Sequence, residues 1–375
     1  MITRKLQSII EDKIFKGKAI VIVGARQVGK STLLNMILDK QNEQVLRLNC
    51  DEPEVRELLL NTNIRELRLT IGNNKIVMID EAQRVKNIGI TLKLITDNFP
   101  DVQLLVTGSS SFDLQNKLNE PLTGRKYEYH LYPVSTGELL DSHGLLSVRQ
   151  TLESRLIYGS YPEIISHPNE AKELLMNISG SYLYKDLLSL EGIRRPVLLE
   201  KLLTALALQV CSEVSYNELA QTVGSDNKTV EKYIDLLEKC YVIFKLNGFS
   251  RNLRTELKKS KKIYFYDNGI RNAIIQNFAP MSIRQDCGAL WENFIISERI
   301  KANQYSGKYA RSYFWRTTGQ QEIDYIEESD GEFTLFEMKW NPKRANTKFP
   351  VSFLETYNVK EKAVITPENW ISFLT

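Results

Sequence analysis

The sequence predicts an α/β fold that begins with a parallel sheet. Strand and helix patterns alternate over the first 135 of 375 residues, which is typical of a parallel sheet with helices on both faces. A phosphate-binding loop follows the first predicted strand, and strand patterns stop after this region until the C-terminal part. We therefore predict a P-loop core at residues 1–135, a helical lid at 136–205, a helix–turn–helix module at 206–280 and a second α/β domain at 281–375.

Apolar spacing and turn residues place the individual elements. The predicted strands of the core are Ala19–Val23, Val45–Asn49, Lys75–Asp80, Gln103–Thr107 and Tyr127–Leu131. The helices predicted between them are Ser31–Asp39, Pro53–Ile71, Gly89–Asn98 and Phe112–Leu118. Near the C-terminus, a helix from about residue 283 to Gln304 precedes strands at Ala310–Arg316, Glu322–Glu327 and Phe333–Lys339, with a hairpin turn at Asp330-Gly331.

Composition and charge exclude several classes of protein. The net charge is only +3, so any face that binds a polyanion has to be local. The four cysteines are far apart and the histidines number three, which argues against a zinc site and fits a reducing compartment. No signal peptide is visible, and no apolar run approaches the ~20 residues of a membrane span. We therefore expect a cytoplasmic protein that does not cross a membrane.

The strongest motif is a phosphate-binding loop of the form G-x-x-x-x-G-K-[ST]. Its residues are Gly24, Ala25, Arg26, Gln27, Val28, Gly29, Lys30 and Ser31, and Thr32 continues into the helix pattern. The loop lies between a predicted strand and a predicted helix, as the motif requires. Backbone N–H groups and the helix N-terminus favour phosphate there. We assign residues 24–32 to ATP, with Lys30 at the β- and γ-phosphates and Ser31 on Mg²⁺; Arg26 and Gln27 receive no individual role.

An apolar run that ends in two acidic residues supplies the second half of this site. Ile76–Ile79 is predicted to be a buried strand that delivers Asp80 and Glu81 to its end. Asp80 is expected to bind Mg²⁺, and Glu81 is expected to act as the general base for the attacking water. Acidic strand ends are common on their own, but about fifty residues after a phosphate loop they indicate an ATPase.

Two further catalytic candidates follow the next strands. Ser109 is a candidate for sensing the γ-phosphate or positioning water, although a Gly/Ser turn that caps the next helix explains its segment equally well. Arg125 is a candidate for stabilising charge in the transition state, within the chain or on a neighbouring subunit. A surface arginine explains that residue at least as well, and both alternatives stay open.

A helix–turn–helix pattern with a basic segment follows the helical region. A short helix that ends near Gly224 precedes a second helix that starts at Asp226, and Tyr241–Leu246 is a predicted hairpin, or wing. A stripe of seven basic residues comprises Lys245, Arg251, Arg254, Lys258, Lys259, Lys261 and Lys262. The stripe predicts contacts with DNA phosphates. The same sequence pattern is also compatible with a lid, with a module that contacts another protein, or with a lysine run that is only solvated.

Acidic residues and a lysine occupy the last two predicted strands. Asp324 lies on one strand, and Glu337 and Lys339 lie on the next, where alternate residues share a face. This set is typical of a metal-dependent nuclease, in which carboxylates bind Mg²⁺ and a lysine positions water. Glu292, on the preceding helix, is a candidate for a further ligand. The spacing is loose, so an inactive nuclease-like fold, or no such fold, stays an alternative.

These residues resemble a family of prokaryotic AAA+-type ATPases with a C-terminal domain of unknown function of restriction-endonuclease-like fold. The matching segments, in order, are Gly24–Thr32, Asp80–Gln83, Thr107–Ser111, Leu122–Arg125, Gly159–Glu163, Lys262–Gly269, Gly288–Phe294 and Gly319–Lys339. The resemblance implies an AAA+-like core, a helical lid with a winged helix and a nuclease-like domain. It also implies ATP as the ligand, and it supplies no known substrate.

The sequence thus predicts a Mg²⁺-dependent ATPase that couples ATP hydrolysis to DNA binding through its C-terminal half. One alternative is a nucleotide-dependent switch or scaffold for a protein partner, without nuclease activity. Another is a DNA endonuclease in which ATP only licenses cleavage. A homo-oligomer is compatible with the pattern, because AAA+-type proteins often assemble and Arg125 is a candidate for acting across an interface.

Overall fold

The computed structural model describes residues 2–108, 121–183, 195–250 and 261–374, with only the backbone for 181–183. The chain divides into two compact units. The first comprises Met1–Pro133 with Lys239–Tyr241, and the second comprises Val134–Glu238 with Val242–Thr375. The finer division of the second unit at residues 205 and 280 stays a prediction. The predicted helix Phe112–Leu118 lies outside the described residues.

The first unit contains the predicted parallel sheet. Its strands are β1 (Ala19–Val23), β2 (Val45–Asn49), β3 (Ile76–Asp80), β4 (Gln103–Gly108) and β5 (Lys126–His130). They lie in the order β2-β3-β4-β1-β5, with every pair parallel. All residues of β1 are buried, as expected for a central strand with both faces covered. Parallel pairing brings the carboxyl ends of β1, β3 and β4 to one edge, where sheets of this type bind ligands.

The helices of the first unit match the predictions with one correction. They are α1 (Lys5–Glu11), α2 (Lys30–Leu38), α3 (Pro53–Leu59), α4 (Ile64–Ile71) and α5 (Ile88–Asn98), with a 3₁₀ turn at Ala82–Arg84. A single helix over Pro53–Ile71 is wrong, because the chain breaks between α3 and α4. Asn61 has a positive φ of 53°, and Asn63 forms a capping box with Glu66 that starts α4.

The second unit begins with helices. They are α6 (Thr136–Gln150, interrupted at Gly144), α7 (Leu152–Tyr158), α8 (Pro162–Ser166), α9 (Ala171–Asn177), α10 (Pro196–Leu208), α11 (Tyr216–Val223), α12 (Asn227–Lys239), α13 (Asn268–Ile274), α14 (Cys287–Tyr305), α15 (Val351–Thr356) and α16 (Trp370–Leu374). A π-helical turn spans Ile178–Leu183, and 3₁₀ turns span Pro168–Glu170 and Pro342–Arg344. Helix α10 begins at Pro196, and Arg195 is its N-cap residue. A left-handed Gly224 (φ 70°) ends α11.

A second, mixed sheet runs through the second unit. Its strands are β6 (Glu213–Val214), β7 (Ile243–Gly248), β8 (Lys261–Phe265), β9 (Arg311–Arg316), β10 (Glu322–Ser329), β11 (Glu332–Met338) and β12 (Val359–Ile365). Their order is β12-β11-β10-β9-β7-β8-β6. The sheet therefore includes strands from the helix–turn–helix region and from the C-terminal region. The predicted hairpin turn between β10 and β11 is confirmed, because Asp330 and Gly331 both have positive φ.

A hairpin within Tyr241–Leu246 is wrong. The chain forms one strand there, β7, which pairs antiparallel with β8. The predicted segment contains none of the Gly, Asn, Asp or Pro residues that a tight turn requires, and Ile243 and Phe244 are buried. Residues 243–246 therefore belong to one strand that runs on to Gly248.

The C-terminal strands rest on a mainly aromatic core. Phe353 is fully buried and packs in one cluster with Tyr313, Ile323, Phe333 and Leu335. Helix α14 buries Trp291, whose indole N–H donates to the carbonyl of Ile365 at 3.1 Å. Across the described parts of both units, no helix has the length and apolar character needed to cross a membrane.

Candidate nucleotide site and C-terminal acidic site

The phosphate loop begins at a position that only glycine can occupy. Gly24 has a φ of 155°, and a Cβ atom added to it would lie 2.1 Å from the carbonyl oxygen of Leu131. Leu131 follows β5 and donates its N–H to the Val23 carbonyl at 2.8 Å, so pairing between β1 and β5 fixes this close approach. Without a side chain, the backbone of Gly24 can turn out of the sheet directly into the loop.

The loop ends at the N-terminus of a helix that no side chain caps. Gly29 is left-handed (φ 94°, ψ 29°), and no side chain caps α2. The first intrahelical bond runs from the N–H of Leu33 to the carbonyl of Gly29, so the preceding N–H groups, including those of Lys30 and Ser31, have no intrahelical acceptor. An anion is the ligand that such a helix end favours.

Lys30 lies over the loop rather than in solvent. Its side chain is buried, and its ammonium donates to the carbonyls of Gly24 at 3.1 Å and Ala25 at 2.9 Å. Ser31 follows it on the first turn of α2 and is partly exposed. A glycine cradle, a helix N-terminus and an ammonium thus converge at one edge of the sheet. This donor set fits the phosphates of a nucleotide.

Asp80 and Glu81 are connected through a residue that the sequence analysis did not assign. Thr107, fully buried at the end of β4, donates its hydroxyl to Asp80 Oδ1 and accepts the N–H of Glu81 at 3.2 Å. Asp80 ends β3 and Glu81 follows it, and β3 is the neighbour of β4, so strand order brings the hydroxyl to both residues. The signal in the sequence was a polar residue that ends the apolar run Leu104–Val106.

The acids at the end of β3 make the electrostatic potential around them negative. Cys50, fully buried, donates its N–H to the Asp80 carbonyl at 3.0 Å. Burial, and then the negative charges of Asp80 and Asp51, raise the pKa of the Cys50 thiol to about 12. A divalent cation is favoured in such a field.

The structure describes two of the three remaining residues of the predicted nucleotide site, Arg125 and Gln27. Ser109 lies outside the described residues. Arg125 places Nε 2.5 Å from Oδ1 of Asp97 and is about two-fifths exposed, so in this structure its charge is paired within the chain. Gln27 is left-handed (φ 62°) inside the loop. The catalytic roles of Ser109 and Arg125 stay predictions.

The structure brings the three C-terminal residues together as the sequence predicts. Lys339 places its ammonium 3.1 Å from Asp324 Oδ2 and 2.6 Å from Glu337 Oε2. Asp324 also accepts the backbone N–H of Met338 at 2.9 Å. Burial, and then the charge of Asp324, raise the pKa of the Glu337 carboxyl to about 7. Two buried carboxylates and one partly exposed ammonium therefore form a compact group.

Glu292 belongs to a neighbouring group with a second lysine. Its carboxylate accepts the hydroxyl of Tyr264 at 2.7 Å and the ammonium of Lys262 at 3.3 Å. Lys262 also binds Glu322 at 2.6 Å. Burial raises the pKa of the Glu292 carboxyl to about 7, opposed by Lys262 and assisted by the charge of Asp324. In residues 2–108, 121–183, 195–250 and 261–374, no three His, Cys, Asp or Glu side chains are grouped to hold a metal ion.

Two lysines of the basic stripe do not have the expected exposure or free charge. Lys262 is 3% exposed and binds two carboxylates. Lys245 binds Asp235 at 2.6 Å and Glu238 at 2.7 Å. Both charges are therefore neutralised within the chain, which argues against the predicted phosphate contacts at these two lysines. Of the five remaining residues of the stripe, Lys261 lies within the described residues. The other four lie outside them: Arg251, Arg254, Lys258 and Lys259.

Three family profiles match successive parts of the chain. Residues 16–140 match an AAA domain. Residues 149–280 match a domain of unknown function, DUF8612, and residues 287–372 match another, DUF4143. The AAA match contains the phosphate loop, Asp80 and Glu81, whereas the matches in the second unit assign no activity.

Similar proteins occur in distant organisms. An uncharacterized protein of Haemophilus influenzae is 27% identical over 280 residues, covering 68% of this chain and 68% of that protein. An uncharacterized protein of Mycobacterium tuberculosis is 25% identical over 364 residues, covering 94% of this chain and 77% of that protein. The similarity to the second protein therefore extends through both units.

Solved structures give only a distant likeness. A signal transduction ATPase with numerous domains (STAND) and a tetratricopeptide repeat sensor, from Pyrococcus horikoshii, has a TM-score of 0.30 at 13% identity over 82% of this chain. The match spans about half, 48%, of that structure. Drosophila ORC bound to AT-rich DNA and Cdc6 has a TM-score of 0.25 at 12% identity, covering 73% of this chain and 89% of that one. At such TM-scores, neither structure supports an inference about this chain.

The AAA-domain match and the phosphate-loop geometry support a nucleotide-binding P-loop ATPase of AAA type.

Proposed function

We propose that this chain binds ATP with Mg²⁺ and hydrolyses it at the carboxyl edge of the parallel sheet. The observation that carries the proposal is the phosphate loop. Its glycine cradle at Gly24, the uncapped N-terminus of α2 and the buried ammonium of Lys30 all present donors at one place. Such an arrangement is suited to a triphosphate and leaves apolar ligands without a partner.

Each residue has a distinct role in this proposal. The ammonium of Lys30 exchanges its loop carbonyls for β- and γ-phosphate oxygens. Ser31 and Asp80 hold Mg²⁺, which when bound neutralises charge that develops on the phosphates. Glu81 accepts a proton from the attacking water at its carboxylate. Thr107 binds both acids, which supports the placement of the base beside the metal ligand.

Removing the Lys30 charge tests the proposal. Lys30→Ala is expected to weaken ATP binding about a hundredfold, since charged hydrogen bonds contribute about 1.5–3 kcal/mol each. Calorimetry with ATP and Mg²⁺ measures the affinity. Lys40→Ala is the matched control, because Lys40 pairs with Glu11 and is mostly exposed. Equal affinity for the wild type and Lys30→Ala contradicts the proposal.

A second candidate function is metal-dependent cleavage of DNA by the second unit. The specific observation in its favour is that Lys339 binds both Asp324 and Glu337, the set expected of such a nuclease. Helices α11 and α12, with the antiparallel pair β7–β8, would form a winged helix that holds the DNA. A cation at Asp324 and Glu337 would have to replace the Lys339 ammonium as their shared partner.

Plasmid cleavage tests the second candidate. The wild type is expected to nick plasmid DNA with Mg²⁺ or Mn²⁺, and Lys339→Ala is expected not to. Lys360→Ala is the control, because Lys360 binds a carboxylate, Glu332, at the surface of the same sheet. Absence of cleavage with intact ATP hydrolysis would instead favour a nucleotide-dependent switch or scaffold for a protein partner.

A further inference from the structure

The residue after Ala82 holds the proposed catalytic base. Gln83 Nε2 donates to Glu81 Oε2 at 2.5 Å. We propose that Gln83 is a positioning residue for ATP hydrolysis, because its amide and the Thr107 hydroxyl fix the Glu81 side chain and backbone together. This inference rests on the proposed function, and it assigns a role to a side chain that phosphate binding alone does not require.

The backbone of Glu81 shows that its position is imposed. Glu81 is left-handed (φ 53°, ψ 41°), a conformation that costs a non-glycine residue about 1–3 kcal/mol and persists only where the surroundings enforce it. The N–H of Glu81 donates to Thr107 Oγ1 at 3.2 Å, and its carbonyl accepts the N–H of Arg84 at 3.0 Å. The chain therefore leaves the direction of β3 at Glu81 and turns its carboxylate toward the following 3₁₀ turn.

The 3₁₀ turn is itself anchored on both sides of Gln83. Ala82 is fully buried, and Arg84 pairs with Asp51. Gln83 is thus held between a packed methyl group and an ion pair, so its amide is presented to Glu81 by a fixed backbone. Orientation of a base by a third group is how many active sites keep a proton acceptor aligned.

The Gln83 amide binds only one of the two oxygens of the Glu81 carboxylate. An ionised carboxylate has about four sites that accept hydrogen bonds, and Gln83 uses one on Oε2. Within the described part of the chain, Oε1 of Glu81 accepts no hydrogen bond. Among the described residues, a single side-chain donor therefore orients the carboxylate, through Oε2.

Gln83→Met tests the inference, because methionine has a similar length and no N–H donor. Steady-state ATP hydrolysis is expected to show kcat about tenfold lower with KM within about twofold, since orientation is lost and phosphate binding is retained. Gln83→Asn, which keeps the amide on a shorter side chain, is expected to recover part of kcat. Gln83→Leu, which also lacks an N–H donor, takes the place of Gln83→Met if that variant folds poorly. Unchanged kcat in Gln83→Met beside an active wild type overturns the inference and leaves the proposed function intact.

A double variant separates positioning from general stability. If Gln83 acts through Glu81, adding Gln83→Met to Glu81→Gln causes no further loss of kcat. A further tenfold loss would show an effect independent of Glu81 and overturn the inference. An inactive wild type that still binds ATP would reject hydrolysis itself, a failure visible before any variant is compared.

Discussion

Lys262 on β8 binds Glu322 on β10 at 2.6 Å, although β7 and β9 lie between these strands in the sheet order. The lysine is buried, and its ammonium also binds Glu292 of α14. One side chain of the helix–turn–helix region thus neutralises acidic residues of the C-terminal region. Its partners are separated from it by at least 30 residues of sequence.

Lys262→Met is expected to destabilise the second unit by about 2 kcal/mol, because it leaves two partly buried carboxylates without their cation. Urea unfolding followed by tryptophan fluorescence measures the loss, since Trp291 and Trp370 are buried in this unit. Lys360→Met is the control, and its exposed pair with Glu332 is expected to leave the midpoint unchanged. Equal midpoints for wild type and Lys262→Met would show that the pair is energetically neutral.

The Glu337 carboxyl makes stability depend on pH. Its pKa is about 7 in the folded chain against an ordinary value of 4.5, so the folded state binds more proton between these values. Its contribution to stability is therefore fully present below pH 4.5 and is lost as pH rises to about 7. Unfolding midpoints at pH 5, 6, 7 and 8 measure the decline.

Glu337→Gln is expected to flatten that decline without abolishing it. Glu292 keeps a pKa of about 7 from burial and continues to disfavour high pH in the same direction. A variant with the slope of the wild type would assign the pH dependence to other groups.

Gly24→Ala is expected to abolish ATP binding. The added Cβ atom would meet the Leu131 carbonyl at 2.1 Å in a backbone conformation that side chains rarely adopt. Gly288→Ala is the control, because Gly288 lies in α14 with nothing near its Cβ position, and alanine favours a helix by about 1 kcal/mol. ATP titration of both variants makes the comparison, and normal binding by Gly24→Ala would show that β5 can move away.

Thr107→Val is expected to lower ATP hydrolysis more than ATP binding. The substitution keeps the shape of Thr107 and removes the hydroxyl that Asp80 and the N–H of Glu81 share, and an unpaired buried group costs about 1–3 kcal/mol. Thr107→Ser keeps the hydroxyl and is expected to retain most of kcat. A valine variant no slower than the serine variant would remove the hydroxyl from the mechanism.

Sequence motifs predict best the features that depend on consecutive residues. Gly24 to Ser31 and the acids at the end of β3 have fixed local spacing, and the order of apolar runs predicted the parallel sheet, which is confirmed. The roles inferred for Thr107 and Gln83 depend instead on the register of β3 with β4 and on one left-handed residue. Neither leaves a periodic pattern in the sequence.

The prediction made for the basic stripe does not fit Lys245 and Lys262, for a related reason. Charge counted along the chain takes no account of partners brought near by folding. Lys245 meets acids of α12, and Lys262 meets acids from α14 and β10. Lys262 is therefore a buried counter-ion for residues that lie much later in the sequence.

The seven-stranded sheet has a consequence for truncated chains. Strands β6–β8 and strands β9–β12 are joined through β7 and β9, and Lys262 adds a second tie between them. The strands of the helix–turn–helix region and the strands that carry Asp324 and Glu337 therefore belong to one hydrogen-bonded sheet. A chain cut after residue 280 would leave β7 as an unpaired edge, and such an edge is prone to aggregate.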